Sequence, residues 1–305
     1  MPNKVNKGHA NKQIPNYSIE RIRGADHTPE DLIAMRFSDY LASRGYLFQA
    51  HRHSFYHLVF FTKGTGNHSL DFVSFPVMPG QIYFMNPGQV HNWDFSAGVE
   101  GYIVNFSPRL FQSVLNNPQY PEQFSFFNGH AMDQVILLPK QVRSSITGLF
   151  EMILTELGNS NDFTTDMVVA LLMQIFILIN RLAGADRNAP SSAHGRIMLR
   201  NFRKLVEEHY LHKKLPKEYA ALLYVTPNYL NSLCRDIMGI SAGEIIRERV
   251  LLEAKRLLVN ADMNIGEIAY QLDFPDNSYF TKFFKKYAGM TPEEFRKQYH
   301  IAAHS

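Results

Sequence analysis

Residues 265–296 read IGEIAYQLDFPDNSYFTKFFKKYAGMTPEEFR, and their apolar positions occur once more upstream. Ala220, Leu223, Val225, Leu230, Cys234 and Gly239 return as Ala269, Leu272, Phe274, Phe280, Phe284 and Gly289, at an offset of 49 residues that becomes 50 partway. A period near 50 found only twice is duplication of one helical unit, since a solenoid needs three or more copies. Each repeat offers a short helix containing Ala, a turn, and a second helix introduced by a capping residue, which is the plan of a helix-turn-helix. In the first repeat the supporting helix is predicted over 217–223, the turn over Tyr224 to Thr226 with Thr226 as N-cap, and the recognition helix over 227–237. Pro227 suits the first helical position, because its missing N–H would be unbonded there anyway. In the second repeat the helices are predicted over 265–272 and 277–287.

Between the repeats, SAGEIIRERVLLEAKRLLVNAD (241–262) carries a capping-box pattern at Ser241 and Glu244. Ile246, Val250, Ala254, Leu257 and Leu258 keep one apolar stripe. About 18 helical residues at roughly 1.5 Å each make a strut of about 27 Å. Such a strut suits two recognition helices set near the one-turn spacing of about 34 Å on one face of DNA.

The string at 265–296, together with YVTPNYLNSLCRDIMGIS at 224–241, resembles the DNA-binding domain of the AraC/XylS family of transcription regulators, over about residues 198–300. The resemblance implies sequence-specific binding of double-stranded DNA. Helical spacing sorts Leu230, Leu233, Cys234 and Ile237 to the core, and likewise Phe280, Phe283 or Phe284, and Tyr287. The opposite faces offer Asn228, Asn231, Ser232 and Arg235, then Asn277, Ser278, Tyr279 and Lys282, with Lys285 and Lys286 at phosphate distance. Asn suits bidentate contact with adenine, and Arg and Lys suit guanine or phosphate. For each residue the plain alternative is a solvated helix face. Two positions depart from the family pattern. Asp273 stands where Gly is usual, and Asp tolerates the left-handed conformation better than most residues. Cys234 replaces an aromatic, and reads either as a small buried hydrophobe or as a redox sensor.

Upstream, HLVFFTKGTG, IYFMNPGQVHNW and EGYIVNF alternate β-branched and aromatic runs with Gly, Pro and Asn, as strands of an antiparallel barrel or sandwich do. HRHSFYHLVFF places His51, His53, Phe55 and His57 on one face by its period of two, and a second string ends in His91. Over about residues 40–107 these strings resemble the two cupin motifs found in the sensor halves of many AraC-like regulators. In metal-binding cupins the first motif supplies two His and a carboxylate and the second another His; here His51, His53 and His91 match, and His57 stands where Glu is usual. Imidazoles of this kind bind Zn, Fe, Ni or Cu, but they also line sensor pockets or sit as ordinary satisfied histidines. The effector-binding set is accordingly His51, His53, His57, Tyr83, His91 and Trp93, with Phe55 and Tyr102 as further aromatic wall, and no metal or cofactor is assigned.

The expected fold class is α+β multidomain, with an N-terminal cupin-like antiparallel β-barrel and following helices, then a C-terminal all-α double helix-turn-helix. The expected boundaries are a sensing domain over 1–139, a helical dimerisation segment over 140–184, a linker over 185–196 and the DNA-binding domain over 197–305. Composition agrees: 305 residues, 45% apolar and 19% charged, exclude a disordered or collagen-like chain. Before residue 190 there are 14 basic and 15 acidic residues, after it 17 and 13, so the positive excess lies in the half read as DNA-binding. A single cysteine and an N-terminus (MPNKVNKGHANKQIPNYS) without an export signal fit the cytoplasm. The apolar run Met167 to Ile179 is expected to be a buried packing helix, being too short to span a membrane comfortably.

The leading reading is a DNA-binding regulator and not an enzyme. Its cupin-like domain binds a small effector, its partners are DNA and a second copy of the chain, and RNA polymerase is a candidate protein partner. The alternatives are a metal-dependent cupin enzyme tethered to DNA, and a regulator whose pocket is vestigial.

Overall fold

A computed structural model describes residues 14–23, 29–96, 98–127, 129–159, 161–185, 193–260 and 263–302. The chain divides into two compact units, a sheet unit over 15–193 and a helical unit over 194–305. Most of the expected linker, at 186–192, lies outside the described residues, as do residues 1–13 of the N-terminal string.

The sheet unit holds ten strands: β1 (Asn16–Tyr17), β2 (Leu32–Arg36), β3 (His51–His53), β4 (Tyr56–Lys63), β5 (Gly66–Leu70), β6 (Val73–Pro76), β7 (Gln81–Met85), β8 (Val90–Phe95), β9 (Glu100–Phe106) and β10 (Val135–Leu137). They form two five-stranded sheets, ordered β1-β3-β8-β5-β6 and β10-β7-β4-β9-β2. Among the described residues the sheets do not join into one closed ladder, so the architecture is a sandwich rather than a closed barrel. All described pairings are antiparallel except β1 with β3.

Alternation along β4 explains the layering. His57, Val59 and Phe61 point between the sheets, where Val59 and Phe61 join Tyr83, Met85, Trp93 and Ile103 in one core. Tyr56, Leu58 and Phe60 point the other way, toward helices. The helices of this unit are α1 (Ile19–Arg23), α2 (Phe37–Ser43), α3 (Pro108–Leu115), α4 (Ala131–Gln134), α5 (Lys140–Asn159) and α6 (Thr164–Ala185). α2 adds Phe37 and Tyr40 to the core between the sheets, while α5 and α6 cover the outer face of the second sheet. Phe150 of α5 stacks on Phe60 and Tyr102, and Phe176 of α6 meets Phe84 and Phe106. Over Thr164–Leu182 α6 is long and apolar enough to cross a membrane, where the sequence alone suggested too short a run. Val168, Val169, Leu171, Leu172, Ile175, Phe176 and Ile179 are nonetheless buried in the core, as the sequence predicts for a packing helix.

The helical unit consists of α7 (Ala193–His209), α8 (Pro216–Leu222), α9 (Pro227–Met238), α10 (Ala242–Asn260), α11 (Ile265–Gln271), α12 (Asn277–Ala288) and α13 (Pro292–Ala302). The expected recognition helices and strut are present within a residue or two of their expected ends. Thr226 caps α9 by accepting from Tyr229 N at 3.1 Å, and Asp276 caps α12 by accepting from Tyr279 N at 2.7 Å. Gly239 and Gly289 end these helices in the left-handed conformation, where a missing Cβ removes the steric cost. Ser241 and Glu244 form the reciprocal box at the start of α10.

Candidate nucleic-acid interface and buried histidine site

In the helical unit the duplicated core faces inward as the repeat implies: Ala220, Leu230 and Cys234 are buried in one copy, and Ala269, Phe280 and Phe284 in the other. Burial pushes the Cys234 thiol up to about 12, so it is a protonated apolar filler rather than a reactive thiolate. Tyr287 departs from expectation, being exposed rather than core.

With those faces fixed, α9 and α12 form two walls of one groove of about 950 Å³, floored by α10. α9 supplies Asn228, Asn231, Ser232 and Arg235, and α12 supplies Tyr279, Lys282 and Lys286. Asn277, Ser278 and Lys285 are exposed on α12 but do not line the groove. Lys214 and Arg247 line it too, and sequence reasoning missed both, because each belongs to the flank or the strut rather than to a recognition helix. The charged lining is therefore Lys214, Arg235, Arg247, Lys282 and Lys286 against the single acid Asp236, a balance that favours an anionic partner.

One expected reader has other work. The Asn231 amide donates to Pro227 O and accepts from Ala242 N, both at 3.1 Å, and so ties α9 to the first residue of α10. These bonds use one of the amide's two N–H groups and one of its oxygen lone pairs, so Asn231 ties the fold together while still lining the groove. Tyr229 is 42% exposed on α9 but does not line the groove.

In the sheet unit, register decides which histidines meet. β3 sets His51 opposite His91, and β5 sets His68 opposite Trp93. The rings of His51, His53 and His91 lie within 4.8 Å of one another, centre to centre, and all three are buried. His53 Nε2 and His91 Nε2 are 2.8 Å apart, and His51 Nδ1 donates to Gln49 O at 2.7 Å. His57 is close, at 5.2 Å from His53 and 5.0 Å from His91, but both its nitrogens are engaged. Its Nδ1 donates to Asn105 Oδ1 at 2.7 Å, and its Nε2 accepts from the Tyr83 hydroxyl at 3.1 Å. Trp93 Nε1 in turn donates to that hydroxyl at 2.9 Å, so Tyr83, His57, Trp93 and Asn105 form one satisfied buried chain.

Burial holds the imidazoles neutral. It lowers His51 and His68 to about 4 and His57 to about 3, and puts His53 and His91 well below the usual histidine range. Phe55 stacks on His53, joining the aromatic wall as the alternation implies. Tyr102 does not join it: one residue beyond Gly101 its side chain points to the helix side, where it bonds to Arg36 and to Glu151 of α5. His68 went unnoticed in the sequence, being a lone histidine in a polar strand. It is buried against Tyr83, with Nε2 bonded to Gln81 Oε1 at 3.2 Å.

A model described as an AraC-like ligand binding domain matches residues 40–176, and one described as a helix-turn-helix domain matches residues 219–298. The order and places of both matches coincide with the two units. The chain belongs to the AraC family of transcription regulators. This AraC-family chain is 24% identical over 260 residues to the transcriptional activator RhaS of Salmonella schwarzengrund, covering 82% of the chain and 88% of RhaS. With the uncharacterized HTH-type regulator YijO of Escherichia coli it shares 29% identity over 110 residues, a match spanning only 36% of this chain and 39% of YijO. The structure of ToxT from Vibrio cholerae with bound unsaturated fatty acid aligns over 88% of the AraC-family chain and 96% of its own, with 12% identity and a TM-score of 0.41.

Proposed function

We propose that the chain is a cytoplasmic regulator that grips duplex DNA with α9 and α12, and whose sheet unit senses a small effector at the buried set His51, His53, His57, Tyr83, His91 and Trp93. The observation that carries this reading is the groove in which two recognition helices present polar and cationic side chains with one acid among them. The curated relatives reported above are regulators, which favours this role over a cupin enzyme tethered to DNA.

Operator binding of single variants tests the assignment. Arg235→Ala and Asn228→Ala are expected to weaken binding by about 1–3 kcal/mol and relax specificity at one base each, whereas Lys282→Ala should reduce the salt slope by about 1. Asn231→Ala should instead lower stability by about 1 kcal/mol, because Ala242 N loses its acceptor. Unaltered affinity, specificity and salt slope across the first three variants would remove α9 and α12 from the interface.

A second copy of the chain completes the reading. Met152 on α5 and Met167 on α6 are about half exposed, on helices whose inner faces pack in the core over the second sheet. These side chains favour a homodimer through α5 or α6, with RNA polymerase a further partner at promoters. Light scattering at micromolar concentration should give twice the chain mass, and a strict monomer would refute the dimer.

A further inference from the structure

We infer that Lys214 is a positioning residue, clasping the first helix-turn-helix to the second so that α9 and α12 meet DNA at one fixed separation. The inference deepens the DNA-gripping reading and rests on it for its consequence at DNA. Lys214 lies two residues before α8, in the flank of the first copy, and its ammonium donates to Leu211 O at 2.8 Å and to Asp273 O at 2.9 Å. Asp273 belongs to the second copy, in the turn between α11 and α12. The same ammonium stands 5.1 Å from the centre of the Phe274 ring, and Phe274 packs on Phe280 and Phe283 of α12 at 5.2 and 5.1 Å. One cation therefore joins the flank of one copy to the recognition helix of the other, beside the groove that Lys214 and Phe274 both line.

Both sides of the clasp are held in place. Glu218 accepts from Lys214 N at 3.0 Å and from Leu215 N at 2.8 Å, which fixes the flank to α8. In the second copy Asp273 N donates to Tyr270 O at 3.0 Å and Phe274 N to Ala269 O at 2.9 Å, so the turn sets the direction of the Asp273 carbonyl. Burial pulls the Lys214 ammonium below the usual lysine range, with the charges of Asp273 and Glu218 opposing it, so its bonds form away from full hydration, where they are stronger. α10 packs against α9 and α12 and carries both copies. A shared helix alone resists twisting of one copy against the other only through its own packing, and a second attachment adds a brace. The brace matters because one added base pair moves a half-site by about 3.4 Å along DNA and about 34° around it. Duplication does not account for the clasp: at the 49-residue offset Met263 stands where Lys214 would recur.

The test selects binding sequences for the full-length chain from a pool of duplexes with a fully randomised core. Wild type is expected to recover two half-sites at one separation. Lys214→Met should recover the same half-sites at that separation and at one base pair more and less, with the penalty for a one-base-pair error falling about tenfold, the lower end of what bonds to a charged group contribute. Lys214→Arg, which keeps the donors, should restore the single separation. His212→Gln should match wild type, because the His212–Asp273 pair, 3.4 Å apart, is mostly exposed and screened. A Lys214→Met chain that keeps one sharp separation, including one that loses affinity evenly for every duplex, would reduce Lys214 to a structural contact and overturn the clasp. Spin labels at Asp236→Cys in α9 and Lys285→Cys in α12 test it without DNA, Cys234 being buried and so protected from the label. Lys214→Met should broaden the distribution of distances between the labels, and an unchanged distribution overturns the clasp. A wild type that recovers no paired half-sites, while its label distance is sharp and depends on Lys214, would sink the two-helix grip on DNA and leave the clasp standing.

Discussion

Acidification from pH 7.5 to 5.5 in the presence of chelator is expected to destabilise the sheet unit by several kcal/mol while most carboxylates are still charged. His51, His53, His57, His68 and His91 are buried and neutral, and burial puts each below the ordinary histidine value. In the unfolded chain each returns to about 6.5. Below that pH the unfolded chain binds protons that the folded one refuses, so stability falls as pH falls. The loss continues until the folded values are reached, at about 4 for His51 and His68 and about 3 for His57. One histidine contributes about 1.4 kcal/mol per pH unit in this window, so five approach a loss of several kcal/mol at pH 5.5, comparable to the whole margin of an ordinary domain at about 5–15 kcal/mol. Trp93 is the sole tryptophan and touches His51, His57 and His91, so its fluorescence reports this unit. Urea midpoints followed by that signal should fall steeply between pH 6.5 and 5, with a slope near five protons that His68→Asn reduces by about one. A midpoint that stays level to pH 5 would show that these rings take up protons in the folded chain as readily as in the unfolded one.

What the sequence disclosed and what it withheld divide along the reach of the interactions. The helical unit was legible because its signals are local: the repeat, Thr226 and Ser241 as caps, and Asp273, which takes φ of 56° as its place in the turn requires. The repeat also equates Tyr224 with Asp273, and Tyr224 adopts the same φ of 56° with its ring 96% exposed, an unfavourable choice that single-residue propensity hides. The second role of Asn231 was not legible because its amide partner, Ala242, lies in the next helix. In the sheet unit, alternation found His51, His53 and His57, but parity within one strand cannot say which face of the neighbouring strand is inside. Tyr102 was placed in the wall for that reason, and His68 was missed because only pairing with Trp93 brings it to the core. The helices over Lys140–Ala185 carry apolar periodicity whose partner, the outer face of β4, β7 and β9, is a tertiary fact.

Gly101→Ala should be the most damaging single-methyl addition in the sheet unit, with a loss of at least about 3 kcal/mol. Gly101 pairs with Phe61 beside the register shift between Phe61 and Lys63, where β9 presses onto β4. A Cβ built there would stand 2.0 Å from Phe60 O and 3.1 Å from Phe61 Cα. Both neighbours are backbone in a strand paired on each side, by β7 and β9, so no flexible side chain can give way. Relief requires β9 to move off β4, which would carry Tyr102 away from Arg36 on one face and Asn105 away from His57 on the other. The consequence therefore extends beyond stability to the buried histidine site, whose His57 ring is held through Asn105. Gly148→Ala is the matched contrast: it sits exposed inside α5 with nothing within 4 Å of the added carbon. There the methyl removes backbone freedom from the unfolded chain and should stabilise by about 0.5–1 kcal/mol. Thermal melts followed at Trp93 separate the two cases. A Gly101→Ala protein melting within a degree or two of wild type would mean that the β4–β9 contact is looser than the 2.0 Å approach implies.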